Sequence, residues 1–341
     1  ELTLEGRIHD LIPENLDVWM ANSVNRMSIG VQSFNTEVRQ MVGRLDTKET
    51  VLERLAALKA YGQCSVVIDL IYGLPGQTME VWEQDLADLV SSGVDGADLY
   101  QLNVFDGSDL NKDIAKGKVP AAATTAMQGD MFKFGRKYLD ERSYRRLSAA
   151  HWSANNRERS LYNILAKAGV PMFPFGSGAG GNVDGYGMML HRALKPYEDM
   201  VSRGEKPFMA LMKQSELQPV VNQVVSQLEQ GFLNIMSLVT LDPRLEELNW
   251  LYKLWEERGL VAYNGLLYKL TAAGEFWTVN LTQSTLEAVE YIMTGKNSFA
   301  MEAVAAQDTK TTSKDNPNQE VRGIGQGKAN ISVPTDEDSE A

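Results

Sequence analysis

The chain has 341 residues, 43% hydrophobic and 8% aromatic, enough to bury a large core in one big domain and a smaller one. Its formal charge of -12 opposes phosphate backbones and anionic lipid surfaces, so nucleic acid is not an expected partner. The single cysteine, Cys64, excludes a disulfide framework and a Cys-rich metal motif within these residues. No apolar run approaches the roughly 20 residues of a bilayer span and no leader opens the chain, so no membrane insertion and a cytoplasmic location are expected.

Glu1-Leu2-Thr3-Leu4-Glu5 alternates as a strand with no turn before it, and because domains rarely begin in mid-strand an earlier segment is expected. A helix follows over about Pro13 to Asn22, then the apolar run Arg26-Met27-Ser28-Ile29-Gly30-Val31, then a helix from Lys48 to Tyr61 with Leu52, Leu55 and Leu58 in phase. The rhythm repeats: Ser65 to Tyr72 is β-branched, Met79 to Ser92 is helical, and Asp98 to Leu102 is a short strand. Strands alternating with amphipathic helices predict βαβ units on a parallel sheet. Long helices are then predicted over Thr124 to Leu139 and Arg157 to Ala168, followed by the Gly-rich stretch Phe175 to Gly181. From Leu245 a helix runs to Gly259, Asn264-Gly265 joins two short strands as a hairpin, and Thr271 can cap a further helix. This order predicts a winged-helix-like module, which the acidic balance assigns to packing rather than to DNA. From Lys296 onward small, polar and charged residues predict a disordered tail.

In a parallel α/β barrel the side chains that do chemistry sit at the C-terminal ends of strands. Glu5, Gln32, Asp69 and Asn103 fall there, and Arg44 follows Gln32 closely enough to pair with a carboxylate. Two carboxylates and two amides converging on one mouth suit the hydroxyls and ammonium group of a nucleoside–amino acid ligand. Taken singly, each also reads as structural: an internal ion pair for Asp69, a solvated charge for Arg44.

The segments Glu1 to Glu5, Arg26 to Phe34 and Ile68 to Thr78 resemble, in order and spacing, the oxygen-independent coproporphyrinogen III dehydrogenase-like family of radical S-adenosylmethionine (SAM) proteins. The resemblance covers about Glu1 to Thr294 and implies an α/β fold: the last four βα units of a partial (β/α)6 barrel over 1–120, a helical and Gly-rich substrate region over 121–230 and the winged-helix-like module over 231–295, before the tail at 296–341. It implies that Glu5, Gln32, Arg44, Asp69 and Asn103 contact SAM. It also implies a [4Fe–4S] cluster on a Cys-x3-Cys-x2-Cys loop that these residues lack, so the residues given are expected to be inactive on their own.

After the barrel, Arg142, Arg145, Arg146, Arg157 and Arg159 form a basic cluster suited to porphyrin propionates, and His151 beside Trp152 offers an imidazole for heme iron; a solvated helix face with a hydrogen-bonded histidine is the plain alternative. Met172, Met188, Met189, Met209 and Met212 suit an apolar slot or simple gap-filling. The stretches Leu147 to Asn163 and Pro174 to Gly181 look most like the heme-utilisation, anaerobilin-synthase-like branch. That resemblance implies radical methyl transfer to heme, ring opening and iron release, with a flavodoxin or flavin reductase as electron donor. Coproporphyrinogen oxidation and non-catalytic heme delivery are the alternatives.

Overall fold

A computed structural model describes residues 1–296, so the expected tail lies outside the described residues apart from Lys296. The chain divides into one compact unit over Glu1–Ser160 and a second that starts at Leu161.

In the first unit β1 (Thr3–Arg7), β2 (Arg26–Gln32), β3 (Ser65–Tyr72) and β4 (Gly96–Gln101) pair in parallel, in chain order. Parallel neighbours need crossovers, and α1 (Pro13–Ala21), α2 (Thr36–Met41), α3 (Lys48–Ala60) and α4 (Met79–Ser92) supply them. Side-chain caps set where the helices begin: Asn35 accepts from the Val38 amide, Thr47 from Thr50 and Thr78 from Val81. Next come α5 (Asp109–Ala115) and α6 (Thr125–Asp140), the latter capped by Thr124 and close to the helix predicted over Thr124 to Leu139. One sheet face is apolar, with Met27, Ile29, Val66, Ile68 and Leu99 buried, and Trp82 ties α4 to α6 through its indole N–H to the Met131 carbonyl at 2.8 Å. Between β3 and α4, Gly73 has φ +90°, and a Cβ there would come within 2.6 Å of the Gln128 amide nitrogen.

Between the helices predicted over Thr124 to Leu139 and Arg157 to Ala168, where the sequence predicts no element, an antiparallel pair, β5 (Arg145–Arg146) and β6 (His151–Ser153), extends the sheet to the order β1-β2-β3-β4-β6-β5. These strands are too short for alternation to register. Their addition carries the first unit past residue 120, to Ser160.

In the second unit α7 (Leu161–Lys167) starts later than the predicted Arg157, after Ser160 at φ +52°. Around the Gly-rich stretch, β7 (Gly180–Val183) and β8 (Tyr186–Leu190) form a hairpin; after α8 (Leu194–Ser202), β9 (Phe208–Lys213) completes a three-stranded antiparallel sheet. Then follow α9 (Gln218–Glu229), β10 (Phe232–Leu233), α10 (Ile235–Val239), α11 (Leu248–Glu257), β11 (Val261–Tyr263), β12 (Tyr268–Leu270), α12 (Ala272–Phe276) and α13 (Thr278–Thr294). The sheet order β10-β12-β11 with its flanking helices makes the winged-helix-like module, packed on Val224, Leu228, Leu238, Leu248, Tyr252 and Val289. Thr271 caps α12, accepting from the Gly274 amide at 3.2 Å and donating to the Gly259 carbonyl at 2.6 Å. Thr271→Ala should therefore lower stability by about 1 kcal/mol in denaturant titration, with the slope unchanged. Among the described residues no helix is long and apolar enough to cross a membrane.

Candidate functional site

The second face of the parallel sheet is polar. Strand alternation puts Ser28 of β2, Asp69 of β3 and Asp98 of β4 on it, and the parallel register sets Asp69 beside Asp98. Asp69 accepts from the Ser28 hydroxyl at 3.3 Å. Burial first, then the like charges of Asp98 and of Glu5 on the exposed edge strand β1, push the Asp69 carboxyl up to about 7. Tyr100, two residues beyond Asp98, has its hydroxyl raised above the ordinary phenol value by burial and then by Asp98, Asp69 and Glu5. Asp98 and Tyr100 were not singled out from sequence. The signal available was the spacing of Gly-Ala-Asp-Leu-Tyr-Gln, which repeats the polar-in-apolar pattern around Asp69.

Gln32 closes β2 at a bulge, where the pairing steps from Gly30–Asp69 to Gln32–Leu70. Its backbone is left-handed at φ +71°, its side chain is buried, and its Oε1 has no hydrogen-bond partner among the described residues. A Cβ on Gly30 would lie 2.9 Å from the Gln32 amide nitrogen and 3.8 Å from an Arg44 guanidinium nitrogen, so this glycine makes the room in which the two polar groups meet. Burial and then Arg7 lower the Arg44 guanidinium below its ordinary value, against the pull of Asp69 and Asp46. Glu5, Gln32, Arg44 and Asp69 are thus brought together. Asn103 is exposed, with its amide 3.5 Å from the Gln101 carbonyl, and among the described residues no hydrogen bond joins it to the other four.

His151 corrects an expectation. It is 1% exposed on β6 and spans two carboxylates: Nδ1 lies 2.9 Å from Asp98 Oδ2 and Nε2 3.1 Å from Glu158 Oε1. Burial works against its charge, but Asp98 and Glu158 outweigh it and raise the imidazole to about 9. The ring is buried and both nitrogens lie against carboxylate oxygens, which leaves neither open to an iron atom, so His151 is a core ion-pair residue. Glu158, buried, also accepts from Arg26 Nε at 3.0 Å, Ser65 Oγ at 2.9 Å and the Ser160 amide at 2.6 Å.

Arg145 and Arg146 do not form one grip. The register sets Arg145 opposite Ser153 and Arg146 opposite Trp152, so successive strand positions turn them to opposite sheet faces. Arg146 donates to the Ala149 carbonyl at 3.2 Å and stacks on Trp152, while Arg145 is exposed. The methionines divide likewise: Met188 and Met189 are successive on β8, with Met209 and Met212 exposed on β9.

Chemically, the face offers carboxylates for a cation or hydroxyls, an unsatisfied buried amide oxygen to accept a donor, and a guanidinium for a carboxylate. This donor set fits a ligand that carries an ammonium, a carboxylate and ribose hydroxyls together. Residues 2–89, which contain Glu5, Gln32, Arg44 and Asp69, match the Radical SAM superfamily. The chain therefore contains a Radical SAM superfamily segment that spans β1, β2, β3 and most of α4. It is 35% identical over 293 residues to "Anaerobilin synthase" of Escherichia coli O157:H7, covering 86% of this chain and 65% of that protein. It is also 30% identical over 187 residues to "Heme chaperone HemW" of Lactococcus lactis, covering 54% of this chain and 48% of the relative. Among solved structures it resembles the coproporphyrinogen III oxidase (HemN) of Escherichia coli, a radical SAM enzyme, with a TM-score of 0.68 at 20% identity over 84% of this chain and 69% of that one. That likeness establishes a shared fold. The chain thus spans just under two thirds of the first relative and about half of the second.

Proposed function

We propose that the polar sheet face holds SAM through Glu5, Gln32, Arg44 and Asp69, and that the protein opens heme anaerobically. The identity to anaerobilin synthase across 86% of this chain carries the choice of reaction, since the matches to heme chaperone and coproporphyrinogen oxidase relatives are weaker or shorter. When bound, SAM supplies the adenosyl and methyl groups of radical chemistry. The chain's own contribution is positional. Asp69 and Glu5 face the cation, Arg44 offers a carboxylate partner, and the unsatisfied Gln32 oxygen accepts from an N–H or O–H. Asn103, exposed two residues past the end of β4, is a further candidate contact for the same ligand.

A [4Fe–4S] cluster does not fit these residues. Cys64 stands alone, is 3% exposed, and has its thiol pushed up by burial, the opposite of a thiolate ligand. Heme, an electron donor such as a flavodoxin or flavin reductase, and a cytoplasmic setting belong to the same proposal. Arg145, exposed at the sheet edge, is offered to a propionate.

The test is an anaerobic assay of the full-length gene product, reconstituted and given heme, SAM and reductant, following the Soret band and 5′-deoxyadenosine. Loss of the band with deoxyadenosine and a methylated linear tetrapyrrole is expected. Heme returned intact with SAM untouched would indicate delivery, and indifference to heme with conversion of coproporphyrinogen to a vinyl porphyrin would indicate the oxidase reaction.

A further inference from the structure

We infer that Arg39 and Asp85 are positioning residues for Gln32: a buried guanidinium and a buried carboxylate that hold the strained β2–α2 corner so that the Gln32 amide faces the SAM site. This rests on the assignment of Gln32 to that site.

The corner is a turn of an uncommon kind. The Ser33 amide donates to the Val31 carbonyl at 3.0 Å, so the hydrogen bond spans two residues with Gln32 between them at φ +71°. Such positive-φ γ-turns are rare and strained, and for a residue with a Cβ the conformation persists only where its surroundings over-determine it. The surroundings here are specific. Arg39, 1% exposed, donates from one guanidinium nitrogen to both carbonyls that flank Gln32, that of Val31 and that of Ser33, the latter at 3.0 Å. Its Nε is anchored on the Asp46 carbonyl at 2.8 Å, and its own carbonyl accepts from the Arg44 amide at 2.9 Å. One residue therefore fixes the backbone of Gln32 and of Arg44.

Asp85, also 1% exposed, takes the other side of the corner. It accepts from the Phe34 amide at 2.7 Å and from the Ser33 hydroxyl at 2.9 Å, and from the Gln77 amide at 3.0 Å. Gln77 in turn accepts from the Gly73 amide at 2.8 Å and the Leu74 amide at 3.1 Å. The carboxylate thus locks the loop after β2 to the loop after β3, the strand that carries Asp69. A buried arginine and a buried aspartate are expensive to place in a protein interior; Arg39 has the Asp46 carboxylate 3.9 Å away, and it makes no direct ion pair with Asp85 among the described residues. Both spend their hydrogen bonds on the backbone and side chains around Gln32. With the Gln32 Oε1 left unsatisfied, the arrangement holds an acceptor ready rather than completing a core network.

The experiment is a double-mutant cycle on the reconstituted full-length protein, with SAM affinity read by anaerobic titration calorimetry and melting temperature read alongside. Gln32→Gly removes both the amide and the strain; Arg39→Lys and Asp85→Asn each release part of the clamp while keeping size. Each single variant should weaken SAM about tenfold or more. In the Gln32→Gly background Asp85→Asn should add nothing further, and Arg39→Lys should add less than it does in the parent, because only the Arg44 backbone is left for it to hold. If either variant weakens SAM by the same factor in both backgrounds, or lowers the melting temperature while leaving affinity intact, the positioning role is wrong. If Gln32→Gly binds SAM as well as the parent, the assignment of Gln32 itself fails instead. Should Arg39→Lys not fold, Asp85→Asn decides alone by the same criterion.

Discussion

Glu158→Ala should destabilise the protein by about 3–5 kcal/mol, the range for breaking a buried ion pair from one side, with a fall in melting temperature of roughly 10 °C. The carboxylate is fully buried and collects four donors: Arg26, Ser65, His151 and the Ser160 amide. Removing it strands the Arg26 guanidinium inside the sheet and leaves His151 with Asp98 alone. Glu158→Gln keeps shape and one acceptor oxygen, so its loss should be smaller, and a Glu158→Ala protein as stable as the parent would refute the account. The pH dependence follows with a definite sign. His151, raised from 6.5 to about 9, contributes stability that is fully present below 6.5 and lost as pH rises through 9; the difference corresponds to about 3 kcal/mol. Glu158 is held down to about 2: burial opposes this, and His151 and Arg26 prevail. Its contribution is present above 4.5 and lost as pH falls through 2. Thermal denaturation of the parent should therefore show the pair's full contribution between about pH 4.5 and 6.5, and the decline on the alkaline side should be smaller in Glu158→Ala, where Asp98 alone holds the imidazolium.

Local signals in the sequence carried the parallel strands and helix starts well. Thr124, Thr271 and the Asn264-Gly265 turn act through neighbours a few residues away, so each could be read in place. Asp69 could be read because a carboxylate inside an apolar strand needs a reason. His151 could not: its partners, Asp98 and Glu158, come from another strand and from a loop, and beside Trp152 it looks the same whether it binds iron or closes an ion pair. Strands β5 and β6 are too short to show alternation, and β7 to β9 are built of glycine and methionine, weak strand formers whose pairing rests on tertiary context. Asp85 and Arg39 did carry a signal. Asp85 lies in phase with Trp82 and Leu89 on the buried stripe of α4, and Arg39 sits one residue from the buried Val38, places where a charge must be accounted for.

Asp69→Asn should weaken SAM by roughly ten- to a hundredfold, the 1.5–3 kcal/mol of a hydrogen bond to a charged group, and should abolish the proton exchange that accompanies binding. The groups that set its titration are Asp98 on β4 and Glu5 on β1, which raise it, and the Ser28 hydroxyl and the His151 imidazolium, which lower it; Arg44 adds a positive charge nearby. Raised from its ordinary value of 3.8 to about 7, the carboxyl keeps its proton well above the usual carboxylate range. A cation placed against it stabilises the carboxylate, so binding must expel the proton. Calorimetry of SAM binding in buffers of different ionisation enthalpy should record proton release between about pH 6 and 7 that vanishes above pH 8, and affinity should fall as pH drops through 7. In Asp69→Asn both the release and that slope should disappear. A pH-independent affinity in the parent would mean that Asp69 does not face the cation, and the carboxylate pair with Asp98 would then be a structural feature of the sheet.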